Sequence, residues 1–319
     1  MKISVIIPYF NAAKWIRETL ASVAEQAIQD MEVIVVDDGS TDEGAKNFEQ
    51  DFPFVQLVRT GNQGPSLARN LGFSLSKGEF IQFLDADDLL APGKLKLQLE
   101  TLESTGAEVA YGAWQKIFIG NDGNRIMGKV EDRKLVDSEA DLFTDFWCPP
   151  AAYLFRRGIV EKTGGFRESL AIIQDARFAL DCALQGARFV YCQGIMAYYR
   201  VHSSLSVSQK DPVAFYQDCL RNANEVQLWW LDHGGINQER KKALLRVYNS
   251  ICRASFENDS ATFEAAYKAL NLVDPGHIPE KTRMRLVYKI FGYRNAELVS
   301  LWYRRSRAFF SLINGRKKA

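Results

Sequence analysis

Residues 80–90 read FIQFLDADDLL. The first five are apolar except for Gln82, which is the pattern of a short strand covered on both faces. The strand then runs into Asp85, Asp87 and Asp88. Like charges this close repel and raise one another's pKa. A buried strand ending in clustered carboxylates predicts an α/β domain whose mostly parallel sheet carries a positively charged ligand at its strand ends.

Reading outward from this stretch extends the pattern. Residues 3–7 form a first β-rich run. Asn11 then reads as a helix N-cap, with Ile16, Leu20, Val23 and Ala27 at helical spacing. Residues 32–36 (EVIVV) and 54–58 are further strands. Residues 66–77 read as a helix through Ala68, Leu71 and Leu75, stopped by Gly78. Pro92 opens a helix carrying Leu95, Leu99 and Leu102 on one face. From Glu108 the pattern changes. Residues 109–119 and 125–130 read as a hairpin about a turn at 121–124. Short elements follow: a strand at 151–155, a helix at 156–163, a helix at 174–185 and a strand at 188–192. Beyond Ser208 the chain reads as helices at 212–231, 237–256, 260–271 and 280–313. No internal repeat or low-complexity segment appears, and the predicted boundary divides 1–208 from a helical region, 209–319.

The bulk numbers suit a soluble globular protein of one or two domains: 319 residues, 47% hydrophobic and 25% charged. The net charge of +1 hides an asymmetry. Residues 281–319 carry eleven Lys/Arg against one acid, net +10, which leaves residues 1–280 at −9. The five cysteines form no CxxC pair, which argues against a zinc site or a disulfide framework and fits a reducing compartment. The opening apolar stretch is too short for a secretory signal, and no run approaches the roughly 20 apolar residues of a membrane span. The expected location is cytoplasmic, with peripheral contact to the inner face of the plasma membrane open. No basic aromatic stripe suggests nucleic acid.

Polar groups collect where predicted strands end: Pro8, Tyr9, Phe10 and Asn11 after the first, Asp37, Asp38, Gly39 and Ser40 after the second, Asp85, Ala86, Asp87 and Asp88 after the fourth. In open α/β sheets ligands bind in the crevice beyond the carboxyl ends of the strands. Asp85 and Asp87 suit a hard cation such as Mn²⁺ or Mg²⁺, with open positions for a diphosphate. A solvated turn that caps the next helix is the competing reading. Asp38 offers an acceptor for the N–H of a base, and Phe10 a ring to stack on it; an ordinary Asp-Gly-Ser turn and a core ring are the alternatives. Arg69 suits a phosphate or a base carbonyl, or a surface ion pair.

These residues in this order resemble glycosyltransferase family 2, the inverting nucleotide-diphospho-sugar transferases with the GT-A fold. The matching pieces are VIIPYFN (5–11), EVIVVDDGSTD (32–42), GPSLARNLGF (64–73), KGEFIQFLDADD (77–88), GGFRESL (164–170), QDARFAL (174–180) and YRVHSSLS (199–206). The resemblance implies a Rossmann-like catalytic domain over 1–208, binding the nucleotide sugar through 1–110 and the acceptor through 111–208. It implies that Pro8, Phe10 and Asp38 border the nucleoside, that Arg69 lies near base and diphosphate and that Asp85 lies beside the ribose, with Tyr9, Asn11 and Ala86 also among the donor-binding residues. Asp87 is the main metal ligand, and Asp175 the base that deprotonates the acceptor. The family usually writes an acid before that base; here Gln174 precedes Asp175. His202 matches a position near metal and diphosphate, and a merely structural histidine is the alternative.

The resemblance therefore implies a metal-dependent hexosyl- or N-acetylhexosaminyltransferase, with a UDP-sugar favoured as donor. The acceptor would be a glycan or lipid-linked saccharide of surface polysaccharide or lipopolysaccharide biosynthesis. The chain lacks the Gln-x-x-Arg-Trp element and membrane spans of processive synthases, so one or a few transfers are expected. The tail mixes Leu286, Val287, Ile290, Leu298, Leu301, Trp302, Phe309, Phe310 and Leu312 with Arg283, Arg285, Arg304, Arg305, Arg307 and Lys317. That composition suits a helix on an anionic membrane or one packed on the protein with a solvated basic face. Two other functions compete. A nucleotidyltransferase on a related fold would carry a glycine-rich basic loop after the first strand, where PYFNAAKW stands instead. A degenerate protein that only binds nucleotide sugar has Gln174 as its support.

Overall fold

A computed structural model describes residues 2–44, 48–120, 124–202, 207–279 and 285–315. The chain divides into two compact units, Met1–Lys210 and Asp211–Ala319.

The first unit opens with β1 (Ile3–Tyr9), buried along its whole length except for a partly covered Pro8. Such a strand belongs at the centre of a sheet. Helix α1 (Ile16–Ala24) turns Ile16, Leu20 and Val23 inward. Strand β2 (Met31–Asp37) lies parallel to β1, and after α2 (Phe48–Asp51), β3 (Val55–Arg59) extends the sheet in parallel. Helix α3 (Pro65–Leu75) starts with Pro65 in its first turn, behind Gly64 at φ 95°. It presses close on the sheet at Gly72, where a Cβ would meet Ile6 Cγ2 at 2.5 Å. Strand β4 (Phe80–Phe83) returns to the other side of β1, again parallel.

Beyond β4 the sheet is mixed rather than mostly parallel. After β5 (Leu89–Leu90) and α4 (Lys94–Thr105) come β6 (Val109–Ile119) and β7 (Arg125–Glu131), an antiparallel hairpin as expected. Its turn at 121–123 lies outside the described residues. Helix α5 (Ser138–Thr144), capped by Asp137, precedes a short 3-10 turn at Pro150–Ala152. Strand β8 (Tyr153–Arg156) inserts antiparallel between β4 and β6. Helices α6 (Arg157–Thr163) and α7 (Gln174–Leu184) lead to β9 (Phe189–Val201), parallel to β6. The strand order is β3-β2-β1-β4-β8-β6-β9-β5, with β7 on β6.

Strand β9 continues well past the expected 188–192. Its register against β6 slips as Gly112 faces Cys192, Ala113 faces Ile195 and Trp114 faces Ala197, so β9 carries three extra residues. Helix α8 (Val207–Lys210) closes the unit. Beneath the strand ends lies an aromatic cluster of Phe83, Phe155, Phe166 and Phe178, in which Phe166 stacks on Phe178 at 4.1 Å.

The second unit consists of α9 (Pro212–Asp232), α10 (Gln238–Ser255), α11 (Ser260–Val273) and α12 (Arg285–Gly315). Asp211, Asn237 and Asp259 cap the first three by accepting the N–H three residues on. Trp230, Leu244, Tyr248, Ile251 and Leu270 are buried in it. Helix α12 kinks at Gly292 (φ 72°, ψ 170°). Residues 280–284, where that helix was expected to begin, and the side chains of 303–319, including Phe309, Phe310 and Leu312, lie outside the described residues. Among the described residues no helix is long and apolar enough to cross a membrane.

Candidate functional site

The carboxyl ends of β1, β2 and β4 open beside one another because the three strands are parallel neighbours. Phe10, just past β1, is 48% exposed and so offers an open ring. Asn11 does not cap α1, whose first turn has no side-chain cap and begins at Ile16. It sits instead at φ 49°, in the left-handed region that Asn tolerates. From there its Oδ1 accepts the N–H groups of Thr41 (2.9 Å) and Asp42 (3.2 Å), tying the end of β1 to the loop after β2. Tyr9 requires a correction: its ring is fully buried against Phe48 and its hydroxyl donates to Asp42, so this side chain is not available to a donor. Alternation along the strand turns Tyr9 inward as it turns Phe10 outward.

Asp38 is buried, and its N–H donates to the Tyr9 carbonyl at 2.9 Å. Its carboxylate accepts Gln63 N–H (2.8 Å), Gly64 N–H (2.7 Å) and the Thr60 hydroxyl (3.1 Å). Any base that it binds shares the carboxylate with this loop. Ala86 is buried and its carbonyl accepts the Thr19 hydroxyl at 3.0 Å, which pins the middle of the DADD turn to α1.

Arg69, on α3, is 3% exposed and joins two segments. It pairs with Asp85 through Nη2, and its Nη1 donates to Gln174 Oε1 at 2.8 Å. The guanidinium lies over the Phe166 ring at 5.0 Å. Its Nε is buried with no acceptor among the described residues, an orphan that a buried site seldom leaves unless a ligand completes it. Burial pushes the Asp85 carboxyl up, Arg69 pulls it back, and Asp87 and Asp175 raise it further. Asp87 Oδ2 stands 2.6 Å from His202 Nε2, just beyond β9, and both side chains are about one-third exposed. Asp88 points inward and accepts Arg200 N–H at 2.9 Å, its Oδ2 has no partner among the described residues, and burial pushes its carboxyl well up.

Arg200 had no assigned role in the sequence reading. Its Nε donates to the Asp87 carbonyl (2.7 Å), Nη2 donates to Glu18 (2.6 Å) and the guanidinium lies over Trp15 at 4.3 Å. Burial lowers its pKa, partly offset by Asp87 and Asp88. Trp147 went unassigned as well. Its indole N–H donates to Asp175 Oδ2 at 2.9 Å. Asp175 and Gln174 open α7 together and splay apart, Gln174 to Arg69 and Asp175 to Trp147.

Asp87 and His202 contact each other directly at 2.6 Å, and among the described residues no group of three or more His, Cys, Asp or Glu side chains could hold a metal ion. An Mn²⁺ or Mg²⁺ held here would have to part that contact, take Asp87 and His202 as its side-chain ligands and draw the rest from water and phosphate oxygens.

Residues 4–164 match the family model described as glycosyl transferase family 2. The chain belongs to glycosyltransferase family 2. An uncharacterized glycosyltransferase of Nostoc sp. is 32% identical over 213 residues, 64% of this chain and 66% of that protein. One of Rickettsia bellii is 39% identical over 118 residues, 36% of this chain and 17% of its own length. The chain thus spans less than two thirds of these relatives. Among solved structures, S. aureus TarS 1–349 superposes with a TM-score of 0.64 at 22% identity, covering 96% of this chain and 92% of that one. Its complex with UDP-GlcNAc gives 0.60 at 20%, with the same coverage. The Pyrobaculum calidifontis mannosyltransferase PcManGT, in complex with GDP-Man and Mn²⁺, gives 0.55 at 20%, covering 94% and 87%. At such identities the likeness is one of fold.

Proposed function

We propose that the first unit is the catalytic domain of a non-processive, inverting transferase that moves one sugar from a nucleotide diphosphate to an acceptor hydroxyl. The observation that carries this reading is the meeting of Arg69 with Asp85, Asp87 with His202, and Asp175 with Trp147 at one set of strand ends. Residues 1–110 would hold the donor, with Pro8, Phe10, Asn11 and Asp38 around the nucleoside and Asp85 and Ala86 by the ribose. Residues 111–208 would hold the acceptor. A UDP-hexose or UDP-N-acetylhexosamine is the favoured donor, and a surface glycan or lipid-linked saccharide the favoured acceptor.

Arg69, buried and with an N–H to spare, binds the diphosphate and stabilises the charge that gathers on it as it leaves. A divalent cation at Asp87 and His202 would supply further positive charge beside the leaving group. Asp175 Oδ2 is held by Trp147, which leaves Oδ1 to take the proton of the acceptor hydroxyl. The hydroxyl oxygen bonds to the anomeric carbon from the face opposite the diphosphate. The bond from that carbon to the phosphate oxygen breaks and its electron pair leaves with the diphosphate. One displacement inverts the carbon.

The test is a donor screen. The protein is incubated with UDP-, GDP- and dTDP-sugars and Mn²⁺ or Mg²⁺, and nucleotide diphosphate release is followed with and without EDTA. One donor should be hydrolysed slowly in a metal-dependent way. Asp87→Ala should abolish the metal response, and Asp175→Asn should slow release by about 10²–10⁴-fold. Equal release in EDTA and in Asp87→Ala would remove the metal from the reading.

A further inference from the structure

A cavity of about 320 Å³ lies beside Trp147. Trp114, Trp147 and Tyr199 wall it. Their ring planes are mutually near-perpendicular, at 88°, 81° and 83°, with centroids 5.2–5.7 Å apart, like three walls at the corner of a box. Its polar lining is balanced: Lys116 and Arg133 face Glu131 and Asp145. Arg133 is paired with Asp145, and Glu131 with Lys129.

We propose that this aromatic corner seats a neutral pyranose of the acceptor, and that Trp147 is a positioning residue that couples the seat to Asp175. The inference rests on the transferase reading above and names the acceptor class for it. A pyranose has an apolar C–H face that lies on aromatic rings and a polar rim that needs hydrogen-bonding groups at the edges of the seat. The corner supplies both. A prenyl chain would bury the Arg133–Asp145 and Lys129–Glu131 pairs and Lys116 against apolar surface with no polar group of its own to meet them. A polyanion would meet a lining of no net charge. The volume is at the lower end of the range for small-ligand cavities, about 300–1,000 Å³, which suits one sugar ring. Trp147 serves both ends of the coupling: its ring is a wall of the seat, and its N–H fixes one oxygen of the carboxylate. A sugar stacked on that wall is therefore placed by the same side chain that orients the base.

The full chain, labelled with 5-fluorotryptophan, is titrated with neutral methyl pyranosides in the presence of UDP and Mg²⁺, with methyl glucuronide and glycerol 3-phosphate as charged controls. Fluorine resonances are assigned with single Trp→Phe variants. The resonances of Trp114 and Trp147 should move with a neutral pyranoside while those of the other four tryptophans stay. Stationary Trp114 and Trp147 resonances with every neutral pyranoside, or tighter binding of a charged control, overturn the proposal. UDP binding by the wild type, read separately by thermal shift, distinguishes the two failures: without it the transferase reading itself falls, and this inference with it. A second arm uses Trp147→Phe, which keeps a ring and removes the N–H. Losing the hydrogen bond that orients the carboxylate should lower kcat for diphosphate release about ten-fold while the Kd for the pyranoside stays unchanged. Loss of pyranoside binding together with the rate would mean that Trp147 is only a structural residue.

Discussion

At the scale of single residues, Gln174 matters most. It sits one peptide bond from Asp175, yet its side chain turns the other way and accepts from Arg69. With an amide there, the guanidinium is balanced by one carboxylate, Asp85, rather than two. Gln174→Glu should therefore weaken UDP binding about five-fold, roughly 1 kcal/mol, as measured by titration calorimetry. Unchanged affinity for UDP would show that the charge beside Arg69 is not felt at the diphosphate. Residues of this kind were legible where they stand next to one another in the sequence. Asp85, Asp87 and Asp88 announce a site by their spacing. Arg200 did not, because its partners Asp87, Asp88 and Glu18 lie more than a hundred residues away. Trp147 falls between the hairpin at 109–130 and the strand at 151–155, in a stretch to which the sequence assigned no element. Asn11 carries the signature of a cap, but its left-handed backbone puts its oxygen on the loop after β2.

At the scale of elements, α4 is fastened to the sheet by a buried amine. Lys94 is 1% exposed and its Nζ donates to the Tyr153 carbonyl at 2.7 Å, where α4 meets β8. Burial holds its pKa well below the ordinary lysine value of 10.5. Between the folded and unfolded pKa values the unfolded chain binds the extra proton, so this lysine destabilises the fold at neutral pH and does so less as pH rises towards 10.5. Lys94→Met should be the more stable protein in urea at pH 7, and its advantage should shrink between pH 7 and 10 by at most about 1.4 kcal/mol per pH unit. Both chains should carry Cys192→Ser, because Lys94 pulls the Cys192 thiol down; the other cysteines and the tyrosines then cancel in the difference. An advantage that stays constant with pH would show that the amine is charged in the folded state. Strands β1, β2 and β4 were legible because buried parallel strands read as nearly unbroken apolar runs, and β3, half-exposed with Gln56 and Arg59, was legible through its valines. The two-residue β5 and the far half of β9 were not, because a two-residue strand has no periodicity and the Gln193-Gly194 step breaks the alternation in β9.

At the scale of the whole molecule, the chain joins a unit rich in carboxylates to helices ending in a basic tail. On α12, Leu286, Ile290, Phe291, Leu298 and Trp302 are all exposed, interspersed with Arg285, Lys289 and Arg294. We propose that this helix contacts an anionic membrane surface, where a lipid-linked acceptor would be met. In flotation assays the protein should rise with phosphatidylglycerol vesicles more than with neutral ones, and Trp302→Ala together with Leu298→Ser should reduce the difference. Equal flotation with both vesicles would count against it. Within the first unit, β9 sends consecutive side chains to two different faces. Tyr199 faces the aromatic corner, while Arg200 and His202 reach the opposite side, to Asp87 and Trp15. Those assignments exist only because the strand carries three extra residues against β6. An odd surplus inverts the strand's two faces; an even one restores them. What the segment from 192 to 198 must preserve is thus parity. Many side chains could be exchanged there, but removing a single residue would turn Tyr199 toward Asp87 and Arg200 toward the aromatic corner.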